Sequence, residues 1–412
     1  MNNQDIKFTV IIPTRERADT LQWALKTCIA QDYQNLEILI SDNFSQDNTR
    51  EVVDAHQDSR IKYINTGKRV SMSSNWEFAL SHISEGWVTI LGDDDALLPN
   101  ALQKVLAIIQ KTDVQVIRSN QCTYYWPSFR KKETGSLVVP LAVGYEVRDS
   151  KKWLSKLMSG HVGYPELPVI YNGGFVSFEI LEKIKSVTGL FYNSCIPDIY
   201  SCIAIASFTD KYVYSREPFA ISGVSIHSTG ASQFSGNKSD VKSPKNKFIS
   251  EGNIPFHPDV PICADGNYPS SIHAMVYESY LQSSFLRHSV NTDNIHAQQL
   301  EIILATSENK FVYDVEMWGK SFAEIHELNF DLISMKANMR RLFFTISWMK
   351  FKFSSMVNTH LVESKKYPIQ NIYEASVMAN STIQCTPSTL SRLTNLSSVL
   401  KRSIDSIRNK FF

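Results

Sequence analysis

The chain has 412 residues, which is more than one compact core usually holds, so we expect two or three domains. Its 42 lysine and arginine residues nearly balance its 41 aspartate and glutamate residues, leaving a formal net charge of +1. Proteins that bind nucleic acid normally carry a basic excess, so we expect no nucleic-acid partner.

The cysteines and the N-terminus bear on the cellular compartment. None of the six cysteines forms the two-residue spacing of zinc or redox motifs, so we expect reduced thiols. Residues 1–7 lack the apolar core of a signal peptide, and no run of about 18 apolar residues predicts a membrane-spanning helix. We therefore expect a cytoplasmic protein.

Two kinds of association stay open. Residues 399–412 are a candidate basic amphipathic helix, which would suit peripheral contact with the inner face of a membrane. A packed terminal helix is the reading that we favour, because the segment has only a few cations. A homo-oligomer is equally left open.

Strand and helix patterns alternate through the first 120 residues. A buried strand is predicted at residues 8–12 and an apolar strand at 36–40. Further strands are predicted at 61–64, 87–91 and 114–117, with amphipathic helices between the strands. This order predicts an α/β fold, with a mostly parallel sheet flanked by helices. Ligands bind beyond the carboxyl ends of such strands, so four polar loops mark the expected site: residues 13–17, 41–47, 66–74 and 92–95.

The alternation ends after residue 120. Gly173 and Gly174 indicate a turn, or a place where the backbone is approached closely. Residues 231–270 are rich in Ser, Gly, Asn and Pro and are predicted to be a loop or linker. Residues 271–412 are predicted to be mainly helical, with helices over 275–286, 297–305 and 322–339.

Three adjacent acids, Asp93, Asp94 and Asp95, directly follow the fourth strand. Ionised carboxylates at this spacing repel one another, and a divalent cation relieves the repulsion. Mg²⁺ or Mn²⁺ is commonly held by one or two carboxylates together with substrate phosphates. The alternative is a run of acids favoured by the dipole of the helix that begins near Pro99.

Two other loops carry weaker signals. Asp42, after the second strand, is placed to accept a hydrogen bond from a base or ribose; the alternative is a polar turn in which Asp47 caps the next helix. Arg15 and Arg17, after the first strand, suit a diphosphate, although a solvated loop is the favoured alternative when this loop is taken alone.

Three stretches, taken together, are more specific than any of these residues alone. They are VIIPTR at 10–15, LISDNFSQDNT at 39–49 and VTILGDDDALLP at 88–99. In order and spacing they resemble the family 2 inverting glycosyltransferases of the GT-A fold, strongly over residues 6–120 and weakly to about 230. The resemblance implies a GT-A catalytic domain over 1–230, with a donor half at 1–120 and an acceptor half at 121–230.

The resemblance also implies roles for individual residues. Asp93 would contact the ribose or the metal, Asp94 or Asp95 would ligate the metal, and Asp42 would bind the base. Asn75 lies near the segment that closes over the ribose and diphosphate. The nucleotide would be lined by Pro13, Thr14 and Arg15, with Arg15 or Arg17 neutralising the diphosphate. The family usually has an acid where Gly92 stands, which leaves open which carboxylate is the ligand.

Two later residues complete the implied site. Asp198, after Pro197, matches the acid at the start of a helix that serves as the base; an acid favoured by the helix dipole is the alternative. His227 resembles a late histidine that some GT-A enzymes place on the metal or diphosphate, although a lone histidine is more often a surface or packed residue.

The resulting expectation is a glycosyltransferase that depends on Mn²⁺ or Mg²⁺. It would move a sugar from a nucleotide-sugar donor to a saccharide or lipid-linked saccharide in polysaccharide synthesis. Among the possible donors, a UDP-sugar is the one that we expect. A catalytically inactive scaffold with the same fold is the main alternative. An Asp-dependent phosphotransferase would need Thr or Val at Leu97, and a dinucleotide-binding oxidoreductase would need a glycine-rich turn after the first strand.

Overall fold

The computed structural model describes residues 6–129, 134–228, 251–286, 295–364 and 366–385. At its centre lies an 11-stranded mixed sheet flanked by helices. The strands are β1 (Phe8–Thr14), β2 (Leu36–Asp42), β3 (Ile61–Asn65), β4 (Trp87–Ile90), β5 (Ala96–Leu97), β6 (Val116–Tyr125), β7 (Leu137–Pro140), β8 (Tyr145–Asp149), β9 (Gly174–Ser177), β10 (Lys211–Val224) and β11 (Thr359–Val362).

Helices cover the sheet and make up most of the later chain. Those of the first 230 residues are α1 (Ala18–Ile29), α2 (Thr49–Asp54), α3 (Met72–Leu80), α4 (Ala101–Lys111), α5 (Ser150–Met158), α6 (Phe178–Thr188) and α7 (Pro197–Phe208). The later ones are α8 (Ile272–Gln282), α9 (Ile295–Thr306), α10 (Val312–Ile325), α11 (Phe330–Val357) and α12 (Ile372–Cys385). The predicted α/β class and the helical C-terminal region are confirmed.

The first four long strands form a parallel group in the order β3, β2, β1, β4. Residues 8–12 of β1 are buried without interruption, as expected for a strand covered on both faces. Thr14 pairs with Asp42, so β1 and β2 end level with each other. The polar loops after these strands therefore meet at one edge of the sheet, as predicted.

The rest of the sheet departs from the predicted mostly parallel arrangement. β9 runs antiparallel between β4 and β6, and β7 and β11 continue antiparallel beyond β6. The reversal occurs at the two glycines. A Cβ on Gly174 would lie 1.5 Å from the Val169 carbonyl oxygen, so only glycine permits this approach of two backbone segments.

Capping residues set the start of two helices. Ser71 caps α3, and its hydroxyl accepts from the Ser74 N–H at 3.3 Å. The helix predicted over 322–339 is broken into α10 and α11. Glu327 adopts a left-handed φ of 52°, and Asn329 caps the next helix by accepting from the Leu332 N–H.

The C-terminal region returns to the sheet. β11 pairs antiparallel with β7, and α12 packs beside α1, with Ile372 and Ala375 in a core shared with Tyr124. The division at residues 230 and 270 stays a prediction. The candidate terminal helix at 399–412 lies outside the described residues.

Two further expectations concern cysteines and membrane spans. All six cysteines lie in the described residues, none of them forms a disulfide, and four are buried. Among the described residues, no helix combines the length and apolarity needed to cross a bilayer.

Candidate active site

A cleft of about 470 Å³ opens where the parallel strands end. Its walls come from the loops after β1, β2 and β4, from the start of α7, and from the end of β10. The predicted site residues that line it are Pro13, Thr14, Arg15, Arg17, Asn75, Asp93, Asp94, Asp95 and Asp198. Residues almost 200 positions apart thus meet in one cavity.

Asp93 connects the loop after β4 with the loop after β1. Its Oδ2 accepts from the Thr14 hydroxyl at 2.9 Å, and its Oδ1 accepts from Arg17 Nη1 at 3.0 Å. Burial raises the pKa of Asp93, although the Arg17 charge opposes the rise. Burial alone would lower the pKa of Arg17, but the Asp93 charge raises it above its ordinary value. Arg17 is therefore held as a cation beside the cleft.

Asp95 directs both carboxylate oxygens towards protein donors. Oδ1 accepts from the Gly223 N–H at 2.7 Å, and Oδ2 accepts from the Gly92 N–H at 3.1 Å and from the Tyr171 hydroxyl at 2.6 Å. Burial and the neighbouring Asp94 charge raise the pKa of Asp95 to about 8. These contacts make Asp95 an organiser of the turn.

Gly92 stands where the resembling family usually has an acid. A Cβ at this position would lie 2.5 Å from Asp95 Oδ2 and 2.6 Å from the Tyr171 hydroxyl. The hydrogen bond between Tyr171 and Asp95 occupies the space that a side chain at 92 would need. The departure from the family pattern thus has a steric reason.

Asp94 is the member of the triplet with an oxygen open to a ligand. Oδ2 accepts from the hydroxyls of Ser225, at 2.6 Å, and Ser228, at 2.8 Å. Oδ1 forms no hydrogen bond within the described part of the chain. The described residues contain no group of three or more His, Cys, Asp or Glu side chains arranged to hold a metal. One open carboxylate oxygen still fits Mg²⁺ or Mn²⁺, whose other ligands are often phosphates and water.

Asp198 lies at the second residue of α7, after Pro197 at the first. It is partly buried, and its Oδ2 accepts from the Tyr164 hydroxyl at 3.2 Å. Burial raises its pKa, which makes the carboxylate a stronger base than a free aspartate. A proton acceptor therefore lines the same cleft as Arg17 and Asp94.

Comparison with known proteins identifies the segment that builds most of this cleft. Residues 9–168 match the model described as Glycosyl transferase family 2. This segment belongs to glycosyl transferase family 2. It contains the acid triplet and both arginines, whereas Asp198 lies beyond it.

The family 2 segment also has similar curated relatives. One is "GalNAc(5)-diNAcBac-PP-undecaprenol beta-1,3-glucosyltransferase" of Campylobacter jejuni, 40% identical over 103 residues, 24% of this chain and 33% of that enzyme. Another is "UDP-Glc:alpha-D-GlcNAc-diphosphoundecaprenol beta-1,3-glucosyltransferase WfgD" of Escherichia coli, 27% identical over 116 residues, 28% of this chain and 46% of that enzyme. The similarity thus spans less than half of either relative.

Among solved structures, residues 1–349 of TarS from S. aureus in complex with UDP-GlcNAc align with a TM-score of 0.47 and 12% identity. The alignment covers 82% of this chain and 92% of that one. A similarity at this level carries no functional information.

Two predicted residues of the site do not line the cleft. Asp42, in the family 2 segment, is saturated by Tyr63, Asn65 and Ser45, each of which donates to its carboxylate. The imidazole of His227 lies 3.3 Å from an Asp19 carboxylate oxygen on α1. These placements do not support the predicted base contact of Asp42 or the predicted ligand role of His227.

Asn75 lines the cleft and also braces β2. Its Oδ1 accepts from the Ser41 hydroxyl at 2.8 Å, and its Nδ2 donates to the Ser41 carbonyl at 3.2 Å. The alternative of helix capping by Asp47 is partly realised, because its Oδ1 accepts from the Thr49 N–H at the start of α2.

Several residues of the cleft carried no recognisable sequence signal. Tyr171 stacks on Trp76, with ring centroids 5.4 Å apart, and its hydroxyl holds Asp95. Tyr268 and Met275 reach the cleft from the C-terminal half of the chain. Tyr171 lies just before the Gly173–Gly174 turn noted in the sequence, and Met275 is the first residue of the helix predicted over 275–286.

Proposed function

We propose that this chain transfers a sugar from a UDP-sugar to a hydroxyl of a saccharide, with inversion at the anomeric carbon. One observation carries the proposal: an open carboxylate oxygen on Asp94 and the proton acceptor Asp198 line a single cleft at the edge of a parallel sheet. Sugar transfer from a nucleoside diphosphate uses both kinds of group. One carboxylate holds a cation beside the diphosphate, and the other accepts the proton of the attacking hydroxyl.

The donor side of the cleft would use cations. Asp94 would hold Mn²⁺ or Mg²⁺, which would neutralise the negative charge that grows on the diphosphate as it leaves. Arg17 is fixed by Asp93 at 3.0 Å and would add a permanent positive charge. Pro13 and Thr14 would border the nucleotide.

The acceptor side would use Asp198. Its carboxylate takes the proton of the acceptor hydroxyl while that oxygen forms a bond to the anomeric carbon. The bond between that carbon and the diphosphate oxygen breaks, and its electron pair leaves with UDP. A single displacement of this kind inverts the anomeric configuration.

The names of the relatives suggest which substrates to test first. The Escherichia coli enzyme is named for UDP-Glc and a diphosphoundecaprenol-linked GlcNAc, and the Campylobacter jejuni enzyme for a PP-undecaprenol-linked saccharide. We propose a UDP-hexose donor and an acceptor saccharide carried on a polyprenyl diphosphate. Such a reaction would belong to cell-surface polysaccharide synthesis.

Calorimetric titration with UDP, with and without Mn²⁺, tests the donor site. We expect binding that needs the cation in the parent chain and is lost in D94N. D113N is the matched control, because Asp113 is fully exposed and outside the cleft. No binding of UDP by the parent chain would favour the inactive scaffold instead.

Transfer assays test the chemical step. In a screen of nucleotide sugars with the polyprenyl-linked acceptor, D198N should lose transfer by about 100-fold or more while it keeps UDP affinity. D113N should match the parent chain. Transfer by D198N at the parental rate would remove Asp198 from the mechanism.

A further inference from the structure

A carboxylate outside the cleft is buried completely. Glu278 lies on α8 with none of its surface exposed to solvent. Its hydrogen-bond donors among the described residues are all neutral: two serine hydroxyls, a glutamine amide and a backbone N–H. Burying a carboxylate among neutral groups is costly, and each donor offsets part of that cost.

The donors come from three separate segments. Ser194, in the loop before α7, donates to Oε2 at 2.7 Å. The other carboxylate oxygen, Oε1, accepts from Gln282 Nε2 at 2.9 Å and from the His257 N–H at 3.3 Å. Glu278 therefore joins the helical C-terminal region to the loop that leads into α7.

Ser194 is the connection to the proposed base. Its hydroxyl accepts from the N–H of Ile196, the N-cap residue of α7, at 3.3 Å. Its carbonyl accepts from the Ser73 hydroxyl on α3 at 2.7 Å. The start of α7, and with it Asp198, is thus held from α3 on one side and through Glu278 on the other.

We propose that Glu278 is a positioning residue for Asp198, acting through Ser194. The inference rests on the proposed function, and it adds a residue from beyond the family 2 segment. Met275, one turn earlier on α8, lines the cleft itself. The same helix therefore supplies part of the wall and the group that orients the base.

The substitution E278Q tests this without creating a cavity. Glutamine keeps the shape but places an NH₂ group where a carboxylate oxygen now accepts, so at least one donor loses its acceptor. S194A removes the hydroxyl that connects Glu278 to α7, and it provides the same test if E278Q does not fold. E85Q is the matched control, because Glu85 is exposed and lies outside the cleft.

Two measurements are expected to change together, and a third is expected to stay the same. In E278Q and S194A, kcat for transfer should fall about 10- to 100-fold, the scale of a small misplacement of a catalytic group. The affinity for UDP should stay within about twofold, and the double variant should be no worse than either single one. Hydrogen exchange at the amides of residues 190–199 should become faster.

The outcomes separate this inference from the proposed function. A lower melting temperature with parental kcat and parental exchange at 190–199 would mean that Glu278 is only structural, and the inference would be overturned. If the parent chain shows no transfer, the proposed function fails. Faster exchange at 190–199 in E278Q would still support the connection to α7.

Discussion

At the scale of single residues, the three acids of the triplet have different surroundings. Asp94 keeps one oxygen without a partner in the described residues, whereas Tyr171 and Gly223 take up the oxygens of Asp95. The sequence predicted the cluster from its position after a strand. It could not predict this division, because these partners are distant in the chain: those of Asp93 lie 76 and 79 residues earlier, and those of Asp94 and Asp95 lie 76 to 134 residues later.

Gly92 provides a test of the turn that holds the triplet. In G92A the new methyl group would collide with Asp95 and Tyr171, so we expect a loss of about 1–3 kcal/mol in unfolding free energy, typical of overpacking. Mn²⁺-dependent affinity for UDP should fall with it. Denaturant unfolding and calorimetry measure the two effects.

Y171F is the companion variant. It removes the hydroxyl that donates to Asp95 without adding bulk, so it should weaken UDP binding less than G92A does. Parental stability and affinity in G92A would contradict the tight packing of this turn.

The pKa of Asp198, the base that we propose, should determine the acid side of the pH profile. A carboxylate base works only when ionised, and burial raises the pKa of Asp198. Transfer should therefore fall, as pH decreases, at a pH above the ordinary range of an aspartate. The Tyr164 hydroxyl stabilises the ionised form, so Y164F should raise that pKa and move the acid limb to higher pH.

The measurement is kcat/KM against pH for the parent chain and Y164F. Y145F is the matched control, because Tyr145 is exposed on β8 and does not line the cleft. An acid limb that coincides in Y164F and the parent chain would show that the Tyr164 hydrogen bond does not tune the base.

At the scale of elements, the first four strands were predictable and several later ones were not. β1, β2 and β4 are buried apolar runs and β3 is a partly buried strand, and amphipathic helices separate them, which gives a clear local pattern. β5 has only two residues, and β9 depends on the contact of Gly174 with Val169. Such elements are fixed by long-range packing, which local periodicity does not encode.

One segment of irregular backbone reaches the donor side of the cleft. Glu251 accepts a hydrogen bond from Arg15 and lines the cleft beside the acid triplet. Its side chain is only 8% exposed. The Glu251 carboxylate therefore pairs with Arg15, a cation for which the sequence suggested a diphosphate partner.

E251Q should make that cation more available. Without the competing charge, the affinity for UDP should rise by up to about tenfold, equivalent to about 1.4 kcal/mol. Titration calorimetry measures the change, and E85Q is the control. Weaker binding in E251Q would show instead that Glu251 helps to orient Arg15 for the ligand.

At the scale of the whole molecule, the C-terminal region is part of the main core. Ile372 on α12 is fully buried beside residues of β6 and β7, and β11 extends the sheet beyond β7. The sequence predicted helices here, but not that the chain adds a strand to a sheet begun about 350 residues earlier. Apolar periodicity indicates which face of a helix is buried, but it does not indicate which element that face packs against.

Two substitutions on α12 test this packing. I372A should cost about 2–5 kcal/mol in unfolding free energy, whereas V377A, at a side chain that is 47% exposed, should change it by no more than about 0.5 kcal/mol. Unfolding in denaturant, followed by the fluorescence of Trp126 and the other tryptophans, measures both. Equal effects of the two variants would contradict a shared core.

The position of β11 also bears on how the protein is made. During synthesis, β7 leaves the ribosome more than 200 residues before Thr359, the first residue of the strand that covers its outer edge. Until then the nascent sheet has an unpaired border, which is the kind of surface that invites aggregation. A chaperone that shields this border would bind nascent chains arrested before residue 359 and release those arrested well after 385.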